Sequence, residues 1–139
     1  MGSRYYGDAF DACNDLTDII IGDNVLSIPD NAFPRCINLT SVTIPNSVTN
    51  IEMFTFWRCT NLMSVTLPNS VREIKSQAFS FCSSLTEIIN ESATPQIIHE
   101  NTFRDTNISA CTLRVPAASL EAYRTAEGWK DFGNIVAIT

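Results

Sequence analysis

Cys36-Ile-Asn-Leu-Thr-Ser-Val-Thr-Ile-Pro-Asn-Ser-Val-Thr-Asn-Ile-Glu-Met-Phe-Thr-Phe-Trp-Arg58, followed at once by Cys59, is the unit that the rest of the chain copies, caps or varies. Cys13, Cys36, Cys59 and Cys82 recur at a constant step of 23 residues, and self-similarity at such a period marks a solenoid of stacked coils. Laid over one another, the units sort into columns by chemistry. Leu16, Leu39, Leu62 and Leu85 share one column; Ile19, Val42, Val65 and Ile88 a second; Ile21, Ile44 and Leu67 a third. Val25, Val48 and Val71 align further on, then Ile28, Ile51, Ile74 and Ile97, then Phe33, Phe56 and Phe79, with Phe10 one step before them.

Within each unit the pattern predicts two extended pieces. Val42 and Ile44 fall on one side and Ser41 and Thr43 on the other, the alternation of a short strand. Pro45 and Pro68 end that strand because a ring nitrogen has no hydrogen to donate to the next rung. Asn46-Ser47 and Asn69-Ser70 turn the chain, and residues 47–51 and 70–74 return across the opposite side. Residues 78–82 are too few for an ordinary helix, so a single helical or 3₁₀ turn is expected, carrying Phe79 and Cys82 inward. One coil cannot bury both pieces alone. Each must stack on its neighbour, strand beside parallel strand, about 4.8 Å away.

After Glu91 the register loosens. Pro95 interrupts, Ile97 and Ile98 keep the core position, and Phe103 arrives one residue late. Leu113-Arg-Val-Pro116 reads as one more strand. From Pro116 the period changes to a helical one, with Leu120, Tyr123, Ala126 and Ala122 toward one face, Pro116 or Ala117 opening the helix and Gly128 closing it. Trp129, Phe132, Ile135 and Val136 are expected as an extended tail. A solenoid's last coil needs an apolar cover with a polar outside, and this segment supplies one. The whole chain, 1–139, is thus read as a single domain with repeats over 5–111 and a C-terminal cap over 112–139. The N-terminus shows no comparable cap, and Met1-Gly2-Ser3 reads as an expression remnant. The natural protein is therefore expected to continue upstream, this chain being its C-terminal part.

Composition excludes several function classes. A net charge of −6 argues against nucleic-acid or anionic-membrane surfaces, which need clustered Lys and Arg. No apolar run approaches the roughly 18 residues of a membrane helix. The early acids Asp8, Asp11, Asp15, Asp18, Asp23 and Asp30 read as a solvated face, since no Asp-x-Asp-x-Asp-Gly loop accompanies them. Four sulfurs stacked in a line cannot surround a zinc tetrahedrally, and parallel Cβ vectors about 4.8 Å apart are too wide for a disulfide. Buried free thiols acting as small hydrophobes are expected, Cys111 included. His99 is the one histidine, without a nucleophile or motif to serve, and reads as a turn or surface residue. No catalytic residue, metal ligand or cofactor is expected.

The departures from the pattern are more informative. Positions that hold Asp30, Asn31 and Pro34 in one coil, and Ser76, Gln77 and Ser80 in another, hold Met53, Phe54 and Trp57 between them. Phe81 stands where Arg35 and Arg58 stand. Phe54, Trp57, Phe81, Arg35 and Arg58 are therefore expected to share an outer turn, and aromatics grouped with Arg are what binding hot spots contain. Trp57 folded over Pro34 as a cover for the coil junction is the alternative. A second candidate surface is the outward stripe Ile20, Thr43, Thr66 and Ile89, which is also ordinary strand chemistry. Glycan binding is weaker, because no acid-plus-aromatic pair repeats along the outward strands.

The order Cys-x-x-Leu-x-x-[Ile/Val]-x-[Ile/Leu]-Pro-x-x-Val-x-x-Ile-x-x-x-[Ala/Thr]-Phe, present from Cys36 to Phe56 and again from Cys59 to Phe79, resembles the Treponema-type leucine-rich repeat of BspA-like bacterial surface proteins. Val115 through Val136 is similar to the closing segment of such proteins in gut and oral anaerobes. The resemblance implies an α/β, right-handed leucine-rich-repeat solenoid that is exported to the cell surface or secreted. It also implies adhesion to a host or bacterial surface protein, without enzymatic activity. It names no ligand, because the shared positions are core positions. A structural spacer or stalk end of a larger surface protein remains the alternative function.

Overall fold

The computed structural model describes residues 3–4, 17 and 19–138. The expectations placed on Phe10, Cys13, Leu16 and the acids from Asp8 to Asp18 lie outside those residues. Each step of the repeat contributes one strand to each of two parallel sheets. The larger sheet runs, in chain order, β4 (Ser41–Thr43), β6 (Ser64–Leu67), β8 (Glu87–Asn90), β10 (Thr112–Val115) and β11 (Asn134–Ala137). The smaller comprises β3 (Ser27–Ile28), β5 (Asn50–Ile51), β7 (Glu73–Ile74) and β9 (Ile97–Ile98). A separate pair joins β1 (Ser3–Arg4) to β2 (Ile19–Ile20), again parallel. Ser41 lies beside Ser64 and Ser64 beside Glu87, so sequence neighbours 23 residues apart become lateral neighbours.

Inward positions fill the space between the sheets. Val42, Ile44, Val65, Leu67, Ile51, Ile74, Leu39 and Leu62 are all buried. On the turn side Phe33, Phe56, Phe79 and Phe103 stack in a column, with centroids 5.6, 5.3 and 5.8 Å apart and ring planes within 17° of parallel. Trp129 and Phe132 meet Phe103 edge-on, at 6.0 and 5.3 Å, and end the column.

Three expectations placed on the repeats are corrected. The turn side over residues 29–35, 53–58 and 76–82 holds no 3₁₀ or α-helix, and among the described residues a 3₁₀ turn in the repeats occurs at Ile108–Ala110. The turn side is a run of reverse turns in which Asn31, Arg35, Phe54, Arg58, Gln77 and Phe81 take positive φ between 56° and 61°, and such residues break a helix each time it starts. Ile97 does not continue the isoleucine column: it is 65% exposed, and Ile98 pairs with Ile74 instead. The extra residue thus enters before β9, and Phe103 inherits the slip. Cys36 is disulfide-bonded, its partner lying outside the described residues, whereas Cys59, Cys82 and Cys111 are free and buried as expected.

The slip is absorbed by hydrogen bonds. Asn90 lies beside Leu67 in an otherwise apolar column, and its amide exchanges two 2.9 Å bonds with that of Gln96. The C-terminal segment then grips this loop. A 3₁₀ turn (Ala117–Ser119) leads into α1 (Leu120–Thr125), and Ser119 Oγ, Tyr123 Oη and Trp129 Nε1 donate to the carbonyls of Ala93, Ser92 and Gln96 at 2.7, 2.8 and 3.0 Å. Ala126, not Gly128, closes α1, and Gly128 at φ 83° instead precedes a further 3₁₀ turn (Trp129–Asp131) where an extended tail was expected. Ala122 is exposed, while Tyr123 is buried. At Gly133 a Cβ would lie 1.7 Å from Ser109 O, so only glycine lets its N–H reach Ile108 O at 3.0 Å.

Candidate functional site

The outer turn is built on backbone bonds that run from coil to coil. Phe33, Phe56 and Phe79 donate their N–H groups to Thr55, Ala78 and Thr102 at 2.9, 2.8 and 3.0 Å, which holds the rings in line. Two residues further on, Arg35, Arg58 and Phe81 donate to Trp57, Ser80 and Arg104 at 2.7, 3.0 and 2.8 Å. The positive φ at Arg35, Arg58 and Phe81 accompanies a reversal in direction, from the buried Phe column to partly or fully exposed side chains. For a residue with a Cβ this conformation costs roughly 1–2 kcal/mol.

The five residues singled out from the sequence come together. The Arg35 guanidinium lies over Trp57, 5.3 Å from the ring centroid, and that of Arg58 lies over the same ring at 4.9 Å and over Phe81 at 4.7 Å. Phe54 meets Trp57 edge-on at 6.3 Å. Pro34 and Ser80, which hold the Trp57 position in adjacent coils, are buried, whereas Trp57, Phe54 and Phe81 are half-buried and Arg35 and Arg58 exposed. A shallow hollow beside Asn31 is lined by Phe54 and Trp57.

The outward stripe is only partly assembled. Thr43, Thr66 and Ile89 sit side by side on β4, β6 and β8, with Arg114 next in line on β10. Ile20, 53% exposed, belongs instead to β2 in the two-stranded sheet. Arg114 pairs with Glu87 beside the stripe, and His99 Nε2 lies 3.0 Å from Glu73 Oε2 on the other sheet.

The cysteine column has a role that the sequence reading missed. Cys59 Sγ and Cys82 Sγ each donate to the carbonyl one coil back, Phe33 O and Phe56 O, at 3.3 Å. Thr106 takes the next position, its hydroxyl donating to Phe79 O at 2.7 Å and accepting from Cys82 N–H at 3.0 Å. The Thr106 hydroxyl, one residue out of step, was the available signal. Burial pushes the Cys59 thiol up to about 12 and Cys82 well above its ordinary value, so both stay protonated donors rather than thiolates.

Two hollows also went unseen in the sequence. One, of about 200 Å³, is lined by Ile98, His99, Glu127 and Asp131; the other, of about 320 Å³, lies beside Asn69, Arg72, Thr94 and Ile97. Among the described residues no group of three or more His, Cys, Asp or Glu is placed to hold a metal, and no helix is long and apolar enough to cross a membrane.

No curated protein matches this sequence. The model of the BspA type leucine rich repeat region matches residues 5–124 in six copies, and repeats of this kind point to a protein-interaction module. With that match over most of its length, and with parallel strands laid down one per repeat in each sheet, the chain belongs to the BspA-type leucine-rich repeat family.

Proposed function

We propose that this chain is a non-enzymatic, adhesion-type module of a cell-surface or secreted bacterial protein. In this reading it forms a right-handed solenoid with a C-terminal cap over 112–139 and binds a host or bacterial surface protein. The observation that carries the reading is the contiguity of Arg35, Trp57, Arg58 and Phe81: two aromatics that depart from the repeat meet two arginines across coil junctions, and all four stay partly exposed. Aromatics and Arg clustered in this way supply large contact area and directional bonds. Replacing Trp57 and Phe81 with Ala is expected to abolish capture of a surface-protein partner while the thermal transition stays cooperative. Unchanged capture removes this patch as the site.

The same contacts favour a second reading. The ladder joins coils to one another, so it also suits a spacer or stalk end whose parent protein binds elsewhere. Full adhesion by the parent protein after deletion of this segment supports that reading over the first. The stripe Thr43, Thr66 and Ile89, with Ile20, is the alternative contact surface.

A further inference from the structure

Arg35 and Arg58 differ from the chain's paired arginines. Arg104, Arg114 and Arg124 each lie within ion-pair distance of a carboxylate, at Asp105, Glu87 and Glu121. Among the described residues no carboxylate stands beside Arg35 or Arg58, although the chain as a whole is acidic. Arg72 also has none, but it has no aromatic ring beneath it. Arg35 and Arg58 occupy the same position of successive coils, where like charges repel, and both hold a left-handed backbone conformation. Two local costs thus fall on one spot, where both guanidinium groups lie over the Trp57 ring. A guanidinium stacked on a ring keeps its N–H fork free at the edge, in the plane that a carboxylate accepts.

We infer that Arg35 and Arg58, braced on Trp57, bind a carboxylate side chain of an acidic peptide segment, with the hollow at Phe54 and Trp57 taking an apolar neighbour of that residue. This inference rests on the proposed reading of the turn as a contact surface. Charge selects the occupant. A net charge of −6 repels a long polyanion, but it opposes a peptide with one or two carboxylates far less, and the apolar contact holds such a peptide in place. A sugar ring needs an open aromatic face, and at Trp57 two guanidinium groups already lie over the ring.

The test is an NMR titration of the 139-residue chain with acetyl-Glu-Leu-Glu-amide, acetyl-Gln-Leu-Gln-amide, inorganic sulfate and a heparin oligosaccharide. The Trp57 indole N–H is the reporter, with buried Trp129 as the internal control. The acidic peptide is expected to shift Trp57 and the Arg35 and Arg58 Nε–H signals, and to bind about tenfold or more tightly than its Gln analogue. Arg35→Asn with Arg58→Asn, which tolerate the left-handed backbone, should remove that advantage, and Arg58→Lys should restore only part of it. Equal binding of the two peptides overturns the inference, as does tighter binding of sulfate or heparin, or no shift up to roughly 10 mM peptide. If Trp57→Ala abolishes partner capture but the Asn variants do not, the contact surface stands and the carboxylate assignment fails.

Discussion

The inner aromatic column and the outer turn ladder lie one or two residues apart in each coil and share one set of inter-coil backbone bonds, yet they obey opposite rules. Phe33, Phe56 and Phe79 repeat without variation, are buried and stack in parallel. The two outer columns, Pro34-Trp57-Ser80 and Arg35-Arg58-Phe81, change along the stack, and Trp57, Phe81 and both arginines stay partly exposed. The backbone ladder is indifferent to side chains, so it carries both. What repeats supplies the core, and what varies can change without rebuilding it.

The comparison breaks first, and hardest, at Phe79. Phe79→Ala opens a cavity between two stacked rings and is expected to cost about 3–5 kcal/mol by denaturant unfolding. A loss under about 1 kcal/mol would mean that the column is not the core's main support. Alkali probes the inner side by another route. Native Cys59 and Cys82 keep their protons above the ordinary thiol value near 9, while the unfolded thiols lose theirs, so the unfolded state binds fewer protons and stability falls as pH rises from about 9 toward 12. Each thiol contributes a slope of up to about 1.4 kcal/mol per pH unit, measurable as the pH dependence of unfolding in reductant. Thr106→Val is expected to cost about 1–2 kcal/mol, because it leaves Phe79 O and Cys82 N–H without their buried partner. Thr106→Cys should recover part of that loss if hydroxyl and thiol share one role.

The core columns were legible because a period of 23 residues aligns chemistry without any knowledge of coordinates. The grouping of Phe54, Trp57, Phe81, Arg35 and Arg58 was legible for the same reason, since exceptions at neighbouring columns must be neighbours in space. The left-handed turns were not, because apart from Asn31 the positions hold Arg35, Phe54, Arg58, Gln77 and Phe81, where glycine would have announced them. Two adjacent isoleucines hid the slip: Ile97 and Ile98 suit the column equally by type, and only the Asn90–Gln96 amide pair decides between them. The Cys36 disulfide contradicts the argument from uniform coil spacing. The C-terminal segment's grip on residues 92–96 depends on backbone carbonyls, which leave no mark in a sequence.

The most direct test measures the unfolding free energies of Phe79→Ala and Trp57→Ala side by side. Trp57→Ala removes two cation–π contacts of about 0.5–1 kcal/mol each at a half-exposed site, so a loss of about 1–2 kcal/mol is expected, below that of Phe79→Ala. Equal losses would contradict the account and make the outer ladder part of the packing that holds the coils together.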